Sequence, residues 1–147
     1  MWQDVLMKIR LLVSFPLCIL AAGAACGAIP ENLRALTESM PSSEVAILLD
    51  VGREYGLGGD ALKLLLVIRK IENGSAGIEM GVASDFPRHP ARRHAGDFGK
   101  SLHVQAQWAA GTIRKHYTGD LKTFAKQYCP PMWTHWLDMA SNWMNKE

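Results

Sequence analysis

Cysteine is scarce in this chain, with three residues in 147, at positions 18, 26 and 129. Two of them precede residue 29, so a domain that starts after Ala28 keeps only Cys129 and excludes an intrachain disulfide framework. Such a domain stands on its apolar core, and the 119 residues that remain suffice for one domain of ordinary size. Charge of one sign is also missing: 16 Lys and Arg face 14 Asp and Glu. That balance gives no basic footprint for nucleic acid. The longest mostly apolar run is about a dozen residues, short of the roughly 20 that a membrane-spanning helix needs. No stretch alternates with period two and none repeats, which excludes sheet and solenoid architectures. Histidines at metal-ligand spacing are absent from every predicted helix, and His89 with His94 alone is a weak zinc signal. No metal or cofactor is expected.

What is present begins with an export signal. Lys8 and Arg10 make a positive leader, LLVSFPLCILAA an apolar segment, and GAACGA a run of small residues suited to cleavage after Ala24, Ala25 or Ala28. Residues 1–28 are therefore set apart from the fold, and Met7 offers a more compact start. Gly23-Ala24-Ala25-Cys26 resembles a lipoprotein box without its usual leading Leu, so membrane attachment is expected only if Cys26 is lipidated. Removing residues 1–28 takes away Lys8, Arg10 and Asp4 and leaves 14 basic and 13 acidic residues, a formal charge of +1.

Residues 29–41 read as a leader, and residues 42–147 as the domain. Ser42 or Ser43 can cap a helix through SEVAILLDVGREYG, with Val45, Ile47, Leu48, Val51 and Tyr55 on its core face and Gly56 and Gly58 ending it. Asp60 caps DALKLLLVIRKIEN, residues 60–73. Residues 74–100 lack helical periodicity and carry Gly74, Gly77, Gly81, Gly96, Pro87 and Pro90; loops this long inside a domain are usually functional. Ser101 caps LHVQAQWAAGTIRKHY, Asp120 starts DLKTFAKQY, and Pro130-Pro131 initiates MWTHWLDMASNWMNK. The class is all-α, with room for at most a small hairpin in the 74–85 loop.

One acid stands in a costly place. At about 100° per residue, Ala61, Leu65 and Ile68 fall within roughly 40° of Glu72, so its carboxyl rises from the buried stripe of its helix. The C-terminus of a helix disfavours negative charge by about 0.3–1 kcal/mol at exposed sites. Desolvation acts in the same direction, and both favour the protonated acid. A neutral carboxylic acid at the mouth of a loop suits general acid chemistry, above all protonation of a glycosidic oxygen. The competing assignment is a surface pair with Arg69, three residues earlier, worth about 0.2–0.5 kcal/mol.

The order of parts is informative: an apolar helix ending in Glu72, a glycine-rich loop, an amphipathic helix, a short helix ending in Tyr128, then an aromatic last helix. This resembles the lysozyme-like superfamily, within it the soluble lytic transglycosylase and goose-type lysozyme branch. LLLVIRKIEN matches the apolar run ending in the catalytic Glu, with Asn73 in place of the usual Ser. Gly74-Ser75-Ala76-Gly77-Ile78-Glu79-Met80 looks like a shortened G-L-M-Q segment, with Met80 near the expected Gln. Lys126-Gln127-Tyr128-Cys129 is similar to the A-Y-N segment whose Tyr lines the sugar cleft, with Cys129 in place of Asn.

The resemblance implies peptidoglycan glycan strands as the partner and cleavage of the MurNAc-GlcNAc bond, by a lytic transglycosylase or a hydrolase. It gives Glu72 two tasks, acid to the leaving oxygen and then base to the nucleophile, without metal or nucleotide. Hydrolysis needs a second carboxylate about 6.5–9.5 Å away in inverting enzymes; Glu79, Asp85 and Asp97 are the loop candidates, Glu79 foremost. Tyr128, Glu79, Met80 and Gln105 are the expected substrate contacts, and Tyr128 is placed to hydrogen-bond Glu72 or an N-acetyl group. Trp108, Trp133, Trp136 and Trp143 read as core. The run Arg88-His89-Pro90-Ala91-Arg92-Arg93-His94 reads as a solvated loop rather than a contact with anionic wall polymers. Cys129 lacks an activating pattern, so a thiol enzyme is not expected. The competing functions are a noncatalytic relative that binds glycan or serves as an envelope-assembly module, and a small exported helical interaction protein.

Overall fold

A computed structural model describes residues 29–81, 94 and 96–146; the export signal, Cys26, Asp85 and the basic residues 88–93 lie outside the described residues. The described residues form α1 (Arg34–Glu38), α2 (Ser42–Glu54), α3 (Gly59–Glu72), α4 (Phe98–His116), α5 (Leu121–Tyr128) and α6 (Trp133–Met144), with 3-10 turns at Glu31–Leu33 and Pro130–Met132. The fold is all-α, and no helix of the described residues is long and apolar enough to cross a membrane.

Helix α3 is the axis of the molecule. Leu64, Leu65, Leu66, Val67 and Ile68 are consecutive and have no exposed surface, so this helix is covered on every side rather than on one stripe. Helices α2, α4 and α6 all pack against it, α4 also covers α2, and α6 also covers α5. Small side chains let these helices approach closely: Ala106, Ala109 and Ala110 of α4 are fully buried. Gly52 of α2 leaves space that the Leu62 side chain of α3 occupies.

Several boundaries differ from the sequence expectation, each for a local reason. The segment read as a leader is folded onto the core, because Leu33 and Leu36 are buried and Leu36 joins the main apolar cluster. Helix α2 starts at Ser42 behind Pro41, and no Ser side chain caps it. Asp60 lies inside the first turn of α3, behind Gly58, where its charge favours the helix N-terminus without capping it. Helix α4 starts before Ser101, because the Asp97 carboxylate accepts the Lys100 N–H at 3.1 Å and supplies the cap. Asp120 caps α5 as expected, accepting the N–H groups of Lys122 and Thr123. Residues 74–81 form turns and no hairpin strand.

Candidate active site

The site is built on the C-terminus of α3. Asn73 takes the left-handed conformation, φ 41°, and its N–H returns to the Arg69 carbonyl at 3.1 Å. Asn tolerates this region better than most residues, which ends the helix one residue past Glu72. The chain then folds back on itself. Gly74 N–H donates to the Glu79 carbonyl at 3.2 Å, Ile78 N–H to Ser75 at 3.0 Å, and Gly81 N–H to Ile78 at 3.2 Å. A side chain at Gly74 would overlap the Ile78 carbonyl, so the close return requires glycine there.

The fold-back delivers Gly81 against the Glu72 carboxyl. Gly81 has φ +64°, and a Cβ there would overlap the carboxyl group, so glycine is required for both backbone and space. From the opposite side, Trp136 of α6 donates its indole N–H to Glu72 Oε1 at 3.0 Å. Trp136 is 3% exposed. Its ring stands 5.3 Å from Tyr128 and 6.0 Å from Phe124, centroid to centroid. Burial in this setting raises the Glu72 pKa, and the Trp136 hydrogen bond to the charged form opposes the rise only in part. Tyr128 is pushed far up, first by burial and then by the nearby Glu72 charge, so it remains a neutral phenol and a donor.

Several main-chain groups of the loop are also paired to side chains from the scaffold. Gln105 of α4 donates to the Gly77 carbonyl at 3.1 Å and accepts the Met80 N–H at 3.2 Å. Ser101 accepts the Gly77 N–H at 2.8 Å. Tyr128 O–H donates to the Met80 carbonyl at 2.9 Å. Arg69 donates through Nη1 to the Glu79 carbonyl at 3.0 Å and through Nε to Glu44 of α2 at 2.7 Å. Its guanidinium also lies 5.7 Å from the Phe98 ring centroid.

Arg69 is therefore turned away from Glu72, and the surface pair weighed from the sequence is replaced by a buried Arg69–Glu44 pair. Glu79, Met80 and Gln105, expected as substrate contacts, have no exposed surface; they hold the loop from beneath. Glu79 Oε1 accepts the Gly77 N–H at 2.9 Å, and its Oε2 has no hydrogen-bond partner among the described residues. Tyr128 bonds Met80 rather than Glu72. Asp97 is an exposed helix cap whose carboxyl is lowered, first by the Lys100 N–H. Trp136 is core and also the direct partner of the acid, a role that the sequence did not reveal. Trp133 and Trp143 are only partly buried, with Lys126 over the first ring and Lys70 and Lys146 over the second. Trp108, read as core, is 44% exposed. Among the described residues no group of three His, Cys, Asp or Glu side chains could hold a metal ion.

The geometry makes Gly81→Ala informative. The added methyl meets the Glu72 carboxyl and the backbone loses its preferred region, so the carboxyl must leave Trp136 or the loop must lift. The expected result is a large loss of any Glu72-dependent activity with only a modest fall in melting temperature, measured on the purified variant by turnover and circular dichroism. Activity equal to wild type would show that the loop does not position the acid.

Comparison of the chain with protein families, curated proteins and solved structures gives no match.

Proposed function

We propose that this chain is an exported enzyme that cleaves the MurNAc-GlcNAc bond of peptidoglycan, acting in the periplasm or outside the cell, with Glu72 as general acid and then general base. The observation that carries the reading is the setting of one carboxyl: at a helix C-terminus, partly desolvated, raised in pKa, held by one indole N–H and closed on another side by Gly81. Burial and the helix C-terminus favour the protonated acid, while the indole and Gly81 hold the carboxyl in place, and a proton is what a glycosidic oxygen needs to leave.

Glu72 donates its proton to the departing oxygen as the C–O bond breaks. The carboxylate that results then takes a proton from the incoming hydroxyl as the new bond forms, which restores the acid. Two of the loop acids are not presented as water-activating bases: Glu79 is enclosed and Asp97 is a helix cap. The third, Asp85, lies outside the described residues. The muramoyl 6-hydroxyl is taken as nucleophile, a route that needs no second carboxylate, with water as the alternative. Digestion of purified peptidoglycan with mass spectrometry of the products tests the reading. Chain ends carrying 1,6-anhydro-muramoyl groups are expected; hydrated reducing ends would replace the transglycosylase with a hydrolase, and intact strands would reject the enzyme altogether.

A further inference from the structure

The two oxygens of Glu72 stand in different surroundings. Oε1 accepts the indole N–H of Trp136 at 3.0 Å, the one hydrogen bond to this carboxyl among the described residues. Oε2 lies against Gly81, where it is the atom that an added Cβ would meet first. Trp136 is buried, Gly81 is exposed and Glu72 itself is half-buried. The indole therefore closes the inner side of the carboxyl, and the outer side borders a residue without a side chain.

A rigid frame holds the donor. The Trp136 ring packs 5.3 Å from Tyr128 and 6.0 Å from Phe124, Phe124 stacks on Tyr128 at 5.4 Å, and Tyr117 meets Phe124 edge-on at 5.8 Å, centroid to centroid. Tyr128 in turn donates to the Met80 carbonyl at 2.9 Å, one residue before Gly81. One aromatic cluster thus fixes both flanks of Glu72. No charged side chain among the described residues moves the Glu72 pKa, which burial raises and the indole lowers. Arg69 of α3 is spent on Glu44 and the Glu79 carbonyl, the Glu79 carboxyl on the Gly77 N–H, and Tyr128 of α5 stays a neutral phenol, followed by Cys129. On α6, His135 is exposed beside Trp136 in the chain.

An N–H donor distinguishes the oxygens of a carboxylic acid, because the carbonyl oxygen accepts far better than the hydroxyl oxygen. Given Glu72 as the acid of the proposed reaction, on which this assignment rests, we infer that Trp136 is a positioning residue that makes Oε1 the carbonyl oxygen, so that the proton sits on Oε2 and leaves from the Gly81 side. As the Oε2–H bond breaks, the proton passes to the leaving glycosidic oxygen and the electron pair stays on the carboxyl, spread over both oxygens. The indole bond then becomes charge-assisted. It is stronger after proton transfer than before, which favours the transfer itself. Gly81 keeps open the space that a Cβ would take from the departing proton.

Cys129 allows the donor to be removed without changing the shape of the core. Recombinant protein ending in a Tyr128 thioester is ligated to a synthetic peptide from Cys129 to Glu147, carrying either Trp136 or 3-benzothienylalanine, a tryptophan isostere with sulfur in place of N–H. Infrared difference spectra across the titration of Glu72, identified by their loss in Glu72→Gln, should place the C=O stretch of the protonated acid at higher frequency in the isostere, because its oxygen has lost the donor. On peptidoglycan strands kcat should fall about ten- to a hundredfold, with KM kept within about twofold. The alkaline limb should move to higher pH, since the charged form has lost its hydrogen bond, and His135→Gln should leave that limb in place. An unchanged C=O stretch, an isostere with the kcat and limb of wild type, or a limb that moves as far in His135→Gln would overturn the assignment. If the stretch shifts and wild-type protein cleaves no peptidoglycan, the division of the two oxygens stands and the catalytic reading falls.

Discussion

Glu72→Gln is expected to lower cleavage of peptidoglycan by about 10²–10⁴-fold, the range typical of general acid–base groups, while the variant melts at the same temperature as wild type or slightly higher at pH 7. The amide keeps the shape of the side chain and its carbonyl still accepts from Trp136, so the contact at 3.0 Å survives. Only the titratable proton is gone. Stability should behave in the opposite sense to activity, because burial makes ionised Glu72 unfavourable in the folded state. With the folded pKa above the ordinary value of 4.5, the folded state binds the proton more tightly than the unfolded chain does. Its contribution is fully present below the unfolded pKa and is lost as pH rises through the folded one. The Gln variant should lack that decline, which thermal unfolding between about pH 4 and 8 will show. A variant as active as wild type would remove Glu72 from the chemistry.

Arg69→Met is expected to cost about 3–5 kcal/mol of stability, the range for removing one partner of a buried ion pair. The Arg69 and Glu44 side chains are 7% and 11% exposed, so the substitution leaves a carboxylate enclosed with its cation gone. It also removes one of the two donors to the Glu79 carbonyl, leaving the Gly74 N–H, and unties α2 from the loop and from Phe98. Urea unfolding measures the loss directly. Glu44→Gln should cost less, since the amide oxygen still accepts from Arg69 Nε. A loss below about 1 kcal/mol for Arg69→Met would mean that the network is not fixing the loop.

Much of the fold was legible because it is written in local signals. The apolar run of α3, the break at Asn73-Gly74 and the Asp120 cap follow from periodicity and turn chemistry, and they placed Glu72 at its helix end. The caps at α2, α3 and α4 were misread: α2 starts behind Pro41 and α3 behind Gly58 with no side-chain cap, and at α4 Asp97 takes the place expected for Ser101. At α4 the competition was settled from outside the helix: Ser101 is spent on Gly77, 24 residues away. Arg69 illustrates the same limit. A partner at i+3 is visible in the sequence, but the observed partner, Glu44, is 25 residues distant and is chosen by shared burial. Trp136 reaches Glu72 across 64 residues, and a helical stripe of tryptophans shows only that a face is apolar. Trp108 failed in the other direction, since its spacing on α4 fits a packed face and it is nevertheless 44% exposed.

The most direct measurement is the pH dependence of kcat/KM for cleavage of soluble glycan strands, which reports the essential groups of the free enzyme. The account predicts that the rate falls on the alkaline side with a midpoint above 4.5, the ordinary value for the Glu72 carboxyl, and that the residual rate of Glu72→Gln lacks this limb. A wild-type profile without an alkaline fall, or the same fall in the Gln variant, would contradict it.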